Sequence, residues 1–255
     1  MSEVVCTYHR DTAVLTLSNE AKLNAFTTAM LRSLEAHLIE IEHRPDIRAV
    51  IVTGAGPKAF CCGADIAEWG GLGPAEFARH WIRDGHRIFD MLARLSKPTI
   101  GAINGHAFGG GLELAACCDV RVISTQATLG LPEGKVGIVP GWSGTQRLVR
   151  LLSEPVVKEM AIFGRRITAE RAHMLGFAAD VTDDALATAK EMAASLSALS
   201  PRANELTKAM IHGAVGEDRG AAIEVLGSAA AAASADRDEG VQAFLKKRAA
   251  SFDGS

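Results

Sequence analysis

Apolar positions recur with two different periods along this chain, and the switching between them gives the first expectation of its fold. Over residues 27–43, Met30, Leu31, Leu34, Leu38 and Ile41 fall on one stripe at helical spacing. Residues 12–17 and 48–53 are short apolar runs of strand length, the second apolar enough for a buried strand; 98–103, 120–123 and 127–129 read the same way. Helices are expected over 76–95 and 109–118, and again after Pro140-Gly141, running through Leu148, Leu151 and Leu152. Loops are marked by Gly54, Gly56, Pro57 and Gly63, then by Gly70, Gly71, Gly73 and Pro74. Short strands alternating with helices argue for an α/β class. Strands give out from Asp184 onward, and 185–199, 201–212, 221–234 and 236–252 carry helical patterns, with Asp236 and Glu239 as a capping box for the last. The chain therefore divides into an α/β core over 1–196 and a helical module over 197–255, with no convincing internal sequence repeat.

Composition narrows the function classes. At 255 residues and 48% hydrophobic, the chain can bury a sizeable core. A formal net charge of −3, with no arginine-rich or aromatic-interleaved patch, gives no reason to bind nucleic acid. No apolar run approaches bilayer-spanning length, and the N-terminus lacks the basic and apolar regions of a signal peptide, so no membrane partner is expected. The five cysteines include two adjacent pairs, Cys61-Cys62 and Cys117-Cys118, which suit neither a disulfide framework nor a zinc site. No metal is expected, and a reducing cytoplasm is the expected compartment.

Candidate chemistry lies in the middle of the chain. Glu113 stands one turn after Gly110 in Gly109-Gly110-Gly111-Leu112-Glu113, and Glu133 follows Pro132. A glycine run ahead of a helix lets the backbone approach a ligand and leaves free N–H groups facing it. A carboxylate one turn later shares that face. Two carboxylates and an oxyanion donor are the parts needed to add or remove water across an activated double bond. Either glutamate alone would pass as an ordinary helix-opening residue.

Lys58-Ala59-Phe60-Cys61-Cys62-Gly63-Ala64-Asp65-Ile66, then Asn104-Gly105-His106-Ala107-Phe108-Gly109-Gly110-Gly111-Leu112-Glu113-Leu114-Ala115, then Pro132-Glu133 and Pro140-Gly141-Trp142-Ser143-Gly144-Thr145-Gln146-Arg147-Leu148 occur in this order. Together they resemble the crotonase (enoyl-CoA hydratase/isomerase) superfamily, from Asn24-Ala25 to Lys246-Lys247-Arg248. The resemblance implies a spiral of ββα turns, a C-terminal helical trimerisation region, and a homo-trimer or a hexamer built as a dimer of trimers. It implies acyl-CoA thioester substrates and no separate cofactor, coenzyme A being part of the substrate. The N–H groups of Ala64 and Gly110 are the implied oxyanion hole. Glu113 and Glu133 are the implied acid/base pair of a 2-enoyl-CoA hydratase. Lys22, Leu23, Ala25, Asp65, Ile66, Trp142, Phe244 and Lys247 are the implied substrate contacts. An enoyl-CoA isomerase, another CoA-thioester enolate chemistry (hydrolase, dehalogenase, decarboxylase) and a non-enzymatic CoA-ester binding protein are the alternatives.

Two positions depart from the family pattern. Ala67 stands where many hydratases carry lysine, which removes one cationic contact to coenzyme A phosphates and leaves Lys22, Lys247 or a neighbouring subunit to supply it. Trp142 and Ser143 stand where small residues are usual, so the indole either shapes the acyl pocket or packs at a helix start. Trp69, Phe77, Trp81 and Phe89 divide in the same way between acyl pocket and core. His80, His86 and His106 form no visible constellation with Ser or Asp. A dinucleotide fingerprint at 54–59 fails because Glu76, the acid it would need, opens a helix instead of ending a strand.

Overall fold

The computed structural model describes residues 2–217 and 219–255. The chain forms two compact units, one ending at Ser200 and one spanning Pro201 to Ser255.

The first unit holds β1 (Glu3–His9), β2 (Thr12–Ser18), β3 (Ala49–Gly54), β4 (Ala59–Cys61), β5 (Thr99–Ile103), β6 (His106–Phe108), β7 (Val120–Ser124), β8 (Thr128–Gly130), β9 (Ile167–Thr168) and β10 (Asp180–Thr182). Six of them form one sheet in the order β1-β2-β3-β5-β7-β10, and four form a second in the order β4-β6-β8-β9. Three successive strand pairs, β3/β4, β5/β6 and β7/β8, each place one strand in either sheet, and helical segments lead on from each pair. The chain thus winds as a spiral of ββα turns. Parallel pairing among β3, β5 and β7 and among β4, β6 and β8 follows, since every turn re-enters in the same direction; β1/β2 and β8/β9 pair antiparallel.

Both faces of the large sheet are covered, which explains the continuous apolar run of β3. Ile51, Ile100, Ala102 and Val122 pack on one side with Ala185, Ala189 and Ala193 of the helix Ala185–Ser195. Val50, Val52, Ile103 and Ile123 turn to the main core on the other side. The helix Thr28–Glu42 buries the stripe read from the sequence, Met30, Leu31, Leu34, Leu38 and Ile41. Its start is fixed by Thr27, whose hydroxyl accepts the Met30 N–H at 3.2 Å.

Several elements differ from the pattern-based expectation. β1 escapes it because an edge strand buries little; β4, β6, β9 and β10 are too short to show a period. The helix expected after Pro140-Gly141 begins only at Arg147, because Ser143 holds a left-handed φ of 88° that no helix accommodates. Residues 76–95 are not one uniform helix: a wider π-helical stretch, Phe77–Ile82, precedes the helix Arg83–Arg94.

The second unit carries the helices Pro201–Ala214, Arg219–Ala232 and Ala235–Leu245. The last is capped by Ser234, whose hydroxyl accepts the Arg237 N–H, and not by Asp236. It stops at Leu245 and not at 252: Asp236 accepts N–H groups from Asp253 and Gly254 of the returning tail, and Glu239 pairs with Arg248. Among the described residues, no helix is long and apolar enough to cross a membrane.

Candidate active site

Three neighbouring parallel strands, β4, β6 and β8, end on one edge of the small sheet, the place where parallel sheets present ligand sites. Past β4 the chain reaches Ala64. Past β6 it opens the helix Gly110–Cys117, which carries Glu113, and past β8 it reaches Glu133. Ala64, Gly110, Glu113 and Glu133 line one cavity of about 290 Å³. The three contributions are a structural repeat with no sequence repeat beneath it.

The backbone donors follow from the local pairing. Phe26 gives its N–H to Gly63 O and accepts the Asp65 N–H, both at 2.8 Å. Adjacent N–H groups in an extended segment point to opposite sides, so that of Ala64 turns from Phe26 towards the cavity it lines. Gly110 opens its helix, and a first-turn N–H has no partner inside the helix. The two loops meet at Gly63, whose added Cβ would lie 3.8 Å from Gly110 N.

Gly109 joins β6 to that helix with φ 51°, and its N–H continues the ladder to Gly130 O at 3.0 Å. A Cβ here would come within 2.7 Å of Glu133 Oε1, so both the turn and the carboxylate beside it require glycine.

Glu113 is 3% exposed, and its Oε1 accepts the N–H groups of Trp142 at 2.8 Å and Gly144 at 2.7 Å. Burial pushes its carboxyl up to about 7; the Gly144 and Trp142 N–H groups oppose the rise and the negative charge of Glu133 adds to it. Burial also raises the Glu133 carboxyl, and its Oε2 is buried with no hydrogen-bond partner among the described residues. Two carboxyl groups whose titration burial moves upward, that of Glu113 to about 7, can trade protons with a ligand held between them.

This burial has a pH-dependent cost. Glu113 titrates at about 7 when folded against an ordinary 4.5, so the folded state holds the proton more tightly. Its contribution to stability is complete below 4.5 and is lost as pH rises through 7, about 3 kcal/mol at 1.36 kcal/mol per pKa unit. Glu113→Gln is therefore expected to gain stability on the wild type in denaturant unfolding between pH about 5 and about 8. Parallel pH dependence in the two proteins would contradict this account.

The other sequence-derived residues divide. Ile66 lines the cavity and is 52% exposed. Asp65 caps the helix Ile66–Trp69 through the Ala67 N–H and pairs with Lys22 Nζ at 2.5 Å. Leu23 is exposed and left-handed at φ 53°, and its carbonyl accepts the Cys62 N–H, which sets this loop beside the cavity residue Cys62. Ala25 is buried. Phe244 and Lys247 belong to the second unit, both with exposed side chains. Trp69, Phe77 and Trp81 line the cavity, whereas Phe89 is fully buried against Phe26 and Trp142. Trp142 does both, walling the cavity while only 2% exposed.

The histidine reading needs one correction. His86 Nδ1 lies 3.4 Å from Ser143 Oγ, and its Nε2 lies 3.6 Å from Asp90, which also pairs with Arg147. The partners come from two segments that only folding brings together. Ser143 is not a cavity residue, so the trio braces the loop that presents Trp142 and Gly144 to Glu113. Those two N–H groups are the site feature that sequence reasoning missed; Pro140-Gly141-x-x-Gly was the signal for them.

Comparison with known proteins shows the family and the fold. The family model described as enoyl-CoA hydratase/isomerase matches residues 8–255. YngF of Bacillus subtilis (strain 168), named only to the level of enoyl-CoA hydratase/isomerase, is 42% identical over 95% of this chain and 94% of its own. The short-chain-enoyl-CoA hydratase of Clostridium acetobutylicum is 34% identical, covering 97% of this chain and 96% of its own. The crystal structure of enoyl-CoA hydratase from Bacillus anthracis superposes with a TM-score of 0.81 at 35% identity, covering 99% of this chain and all of that one.

Proposed function

The chain belongs to the enoyl-CoA hydratase/isomerase family, and from that premise we propose that it adds water reversibly across the 2,3 double bond of a 2-enoyl-CoA thioester. The observation that carries this reading is the pair of buried carboxylates, Glu113 and Glu133, on one cavity with the N–H groups of Ala64 and Gly110. The thioester oxygen sits between those N–H groups. They stabilise it most when the α-carbon gains charge and the carbonyl becomes an enolate. Glu113 holds the water and takes its proton as oxygen attacks the β-carbon. Glu133 delivers a proton to the α-carbon, and dehydration runs the same steps backwards. Double-bond migration needs a single shuttle, so two carboxylates favour hydration. A pure binding protein would gain nothing from burying them.

Under this proposal Lys22, Leu23, Ala25, Asp65 and Ile66 shape the coenzyme A side of the site. Asp65 positions Lys22, in part making up for Ala67. Phe244 and Lys247 add to the substrate site within a homo-trimer or hexamer assembled through the C-terminal helices. The five cysteines, two pairs of them adjacent in sequence, suit a reducing cytoplasm.

The decisive experiment follows the ultraviolet absorbance of crotonyl-CoA after adding the protein. Decay to a hydrated equilibrium is expected, whereas calorimetric binding without decay would turn the reading to another enolate chemistry. The rate should also carry the site's titration. With Glu113 at about 7, kcat/KM rises as pH climbs through that value, because the base must be ionised. A profile flat between pH about 5 and about 9 would remove Glu113 from the chemistry as its base.

A further inference from the structure

Trp142 fills a slot that two glycines leave open. A Cβ on Gly85 would lie 2.3 Å from the indole Cε2 and Nε1, and one on Gly110 would lie 2.8 Å from Cε3. Neither the helix Arg83–Arg94 nor the helix Gly110–Cys117 could carry a side chain there with the indole in place. The ring is held on its other sides as well. Its Nε1–H donates to Trp81 O at 3.2 Å, and ring centroids of Phe89, Trp81 and Phe26 stand 5.1, 5.3 and 6.0 Å away. T-shaped and tilted contacts of this kind fix a ring firmly.

The position of the slot matters. The Cε3 edge rests against Gly110, whose N–H is the proposed thioester donor, so the indole stands beside the first acyl carbons. Behind it lies packed core. The cavity's other apolar walls include Trp69, Phe77 and Trp81 together with Ile66, Val136 and Val139, the last three 52%, 50% and 75% exposed. A longer acyl tail therefore meets the indole inward and can extend only outward, past aliphatic side chains that are half or more exposed.

We infer that Trp142 closes the inner end of the acyl pocket and restricts the substrate to short acyl groups, with Gly85 as the residue that makes room for the closure. This rests on the reading of the site as one for acyl-CoA thioesters. The role lies in the side chain alone; the Trp142 main-chain N–H that holds Glu113 survives any substitution except proline. Removing the indole leaves an apolar slot that opens on the acyl carbons and continues the pocket inward.

The test is calorimetric titration of saturated butyryl-, hexanoyl- and octanoyl-CoA into the wild type, Trp142→Ala and Trp142→Leu. A buried methylene strengthens binding about fourfold, so four of them in a newly opened slot should raise the octanoyl-to-butyryl affinity ratio at least about tenfold in Trp142→Ala. Trp142→Leu keeps the core partly filled should the alanine variant fail to fold, and a ratio about threefold or more above the wild type is expected for it. An unchanged ratio in either folded variant overturns the inference. Saturated thioesters cannot be hydrated, so the outcome does not depend on turnover. Hydration of crotonyl-CoA with unchanged ratios defeats the inference alone. Failure of the wild type to bind all three thioesters defeats the thioester reading and the inference with it.

Discussion

Glu133→Gln is expected to stop exchange of the α-proton of a saturated acyl-CoA with solvent, lowering it by about 10²–10⁴-fold, the usual contribution of a positioned general acid or base. The substitution is nearly isosteric. Because Oε2 of Glu133 has no partner among the described residues, the new amide breaks no hydrogen bond there, and the fold should persist. Binding of the thioester should change little, since the oxyanion donors are main-chain N–H groups of Ala64 and Gly110. The measurement is deuterium incorporation at the α-carbon of butyryl-CoA, with affinity taken from calorimetry. Wild-type exchange in the variant would assign the α-proton to another group.

Glu113→Gln should be about as damaging to hydration, by about 10²–10⁴-fold in kcat, because a glutamine cannot take the proton of the attacking water. Its side-chain oxygen can still accept the Trp142 and Gly144 N–H groups, so the loop that frames the site keeps its anchor. Crotonyl-CoA hydration is the readout. Near-normal hydration would leave Glu133 as the one working carboxylate and turn the reading towards isomerisation. If both groups serve one transition state, the double variant should lose little more than either single one, since residues that act as a unit are not additive.

These variants probe a site whose parts were unequally visible in the chain. The glycine run at 109–111 announces a close backbone approach, and the resemblance alone points to Ala64, Gly110, Glu113 and Glu133. Nothing local to Ala64 marks its N–H as free. That becomes apparent only when Phe26 engages Gly63 and Asp65 on either side. Likewise Lys22, read as a cation for phosphates, is held by Asp65, and His86 finds Ser143 across a loop. Sequence spacing reports periodicity within one element and is silent on pairs made between elements.

By itself the sequence determined the class of the fold, the stripe of the helix Thr28–Glu42, the family and the two glutamates. These rest on local periods and on motifs that keep their residues together. The tertiary structure decided how β4, β6 and β8 align to set three chain segments around one cavity. It also decided that Trp142 is at once core and cavity wall, because whether an indole faces protein or ligand depends on the glycines opposite it, Gly85 and Gly110. The raised titration of Glu113 belongs to the structure too: a carboxyl leaves its ordinary range only when folding strips it of water and aims neighbouring groups at it.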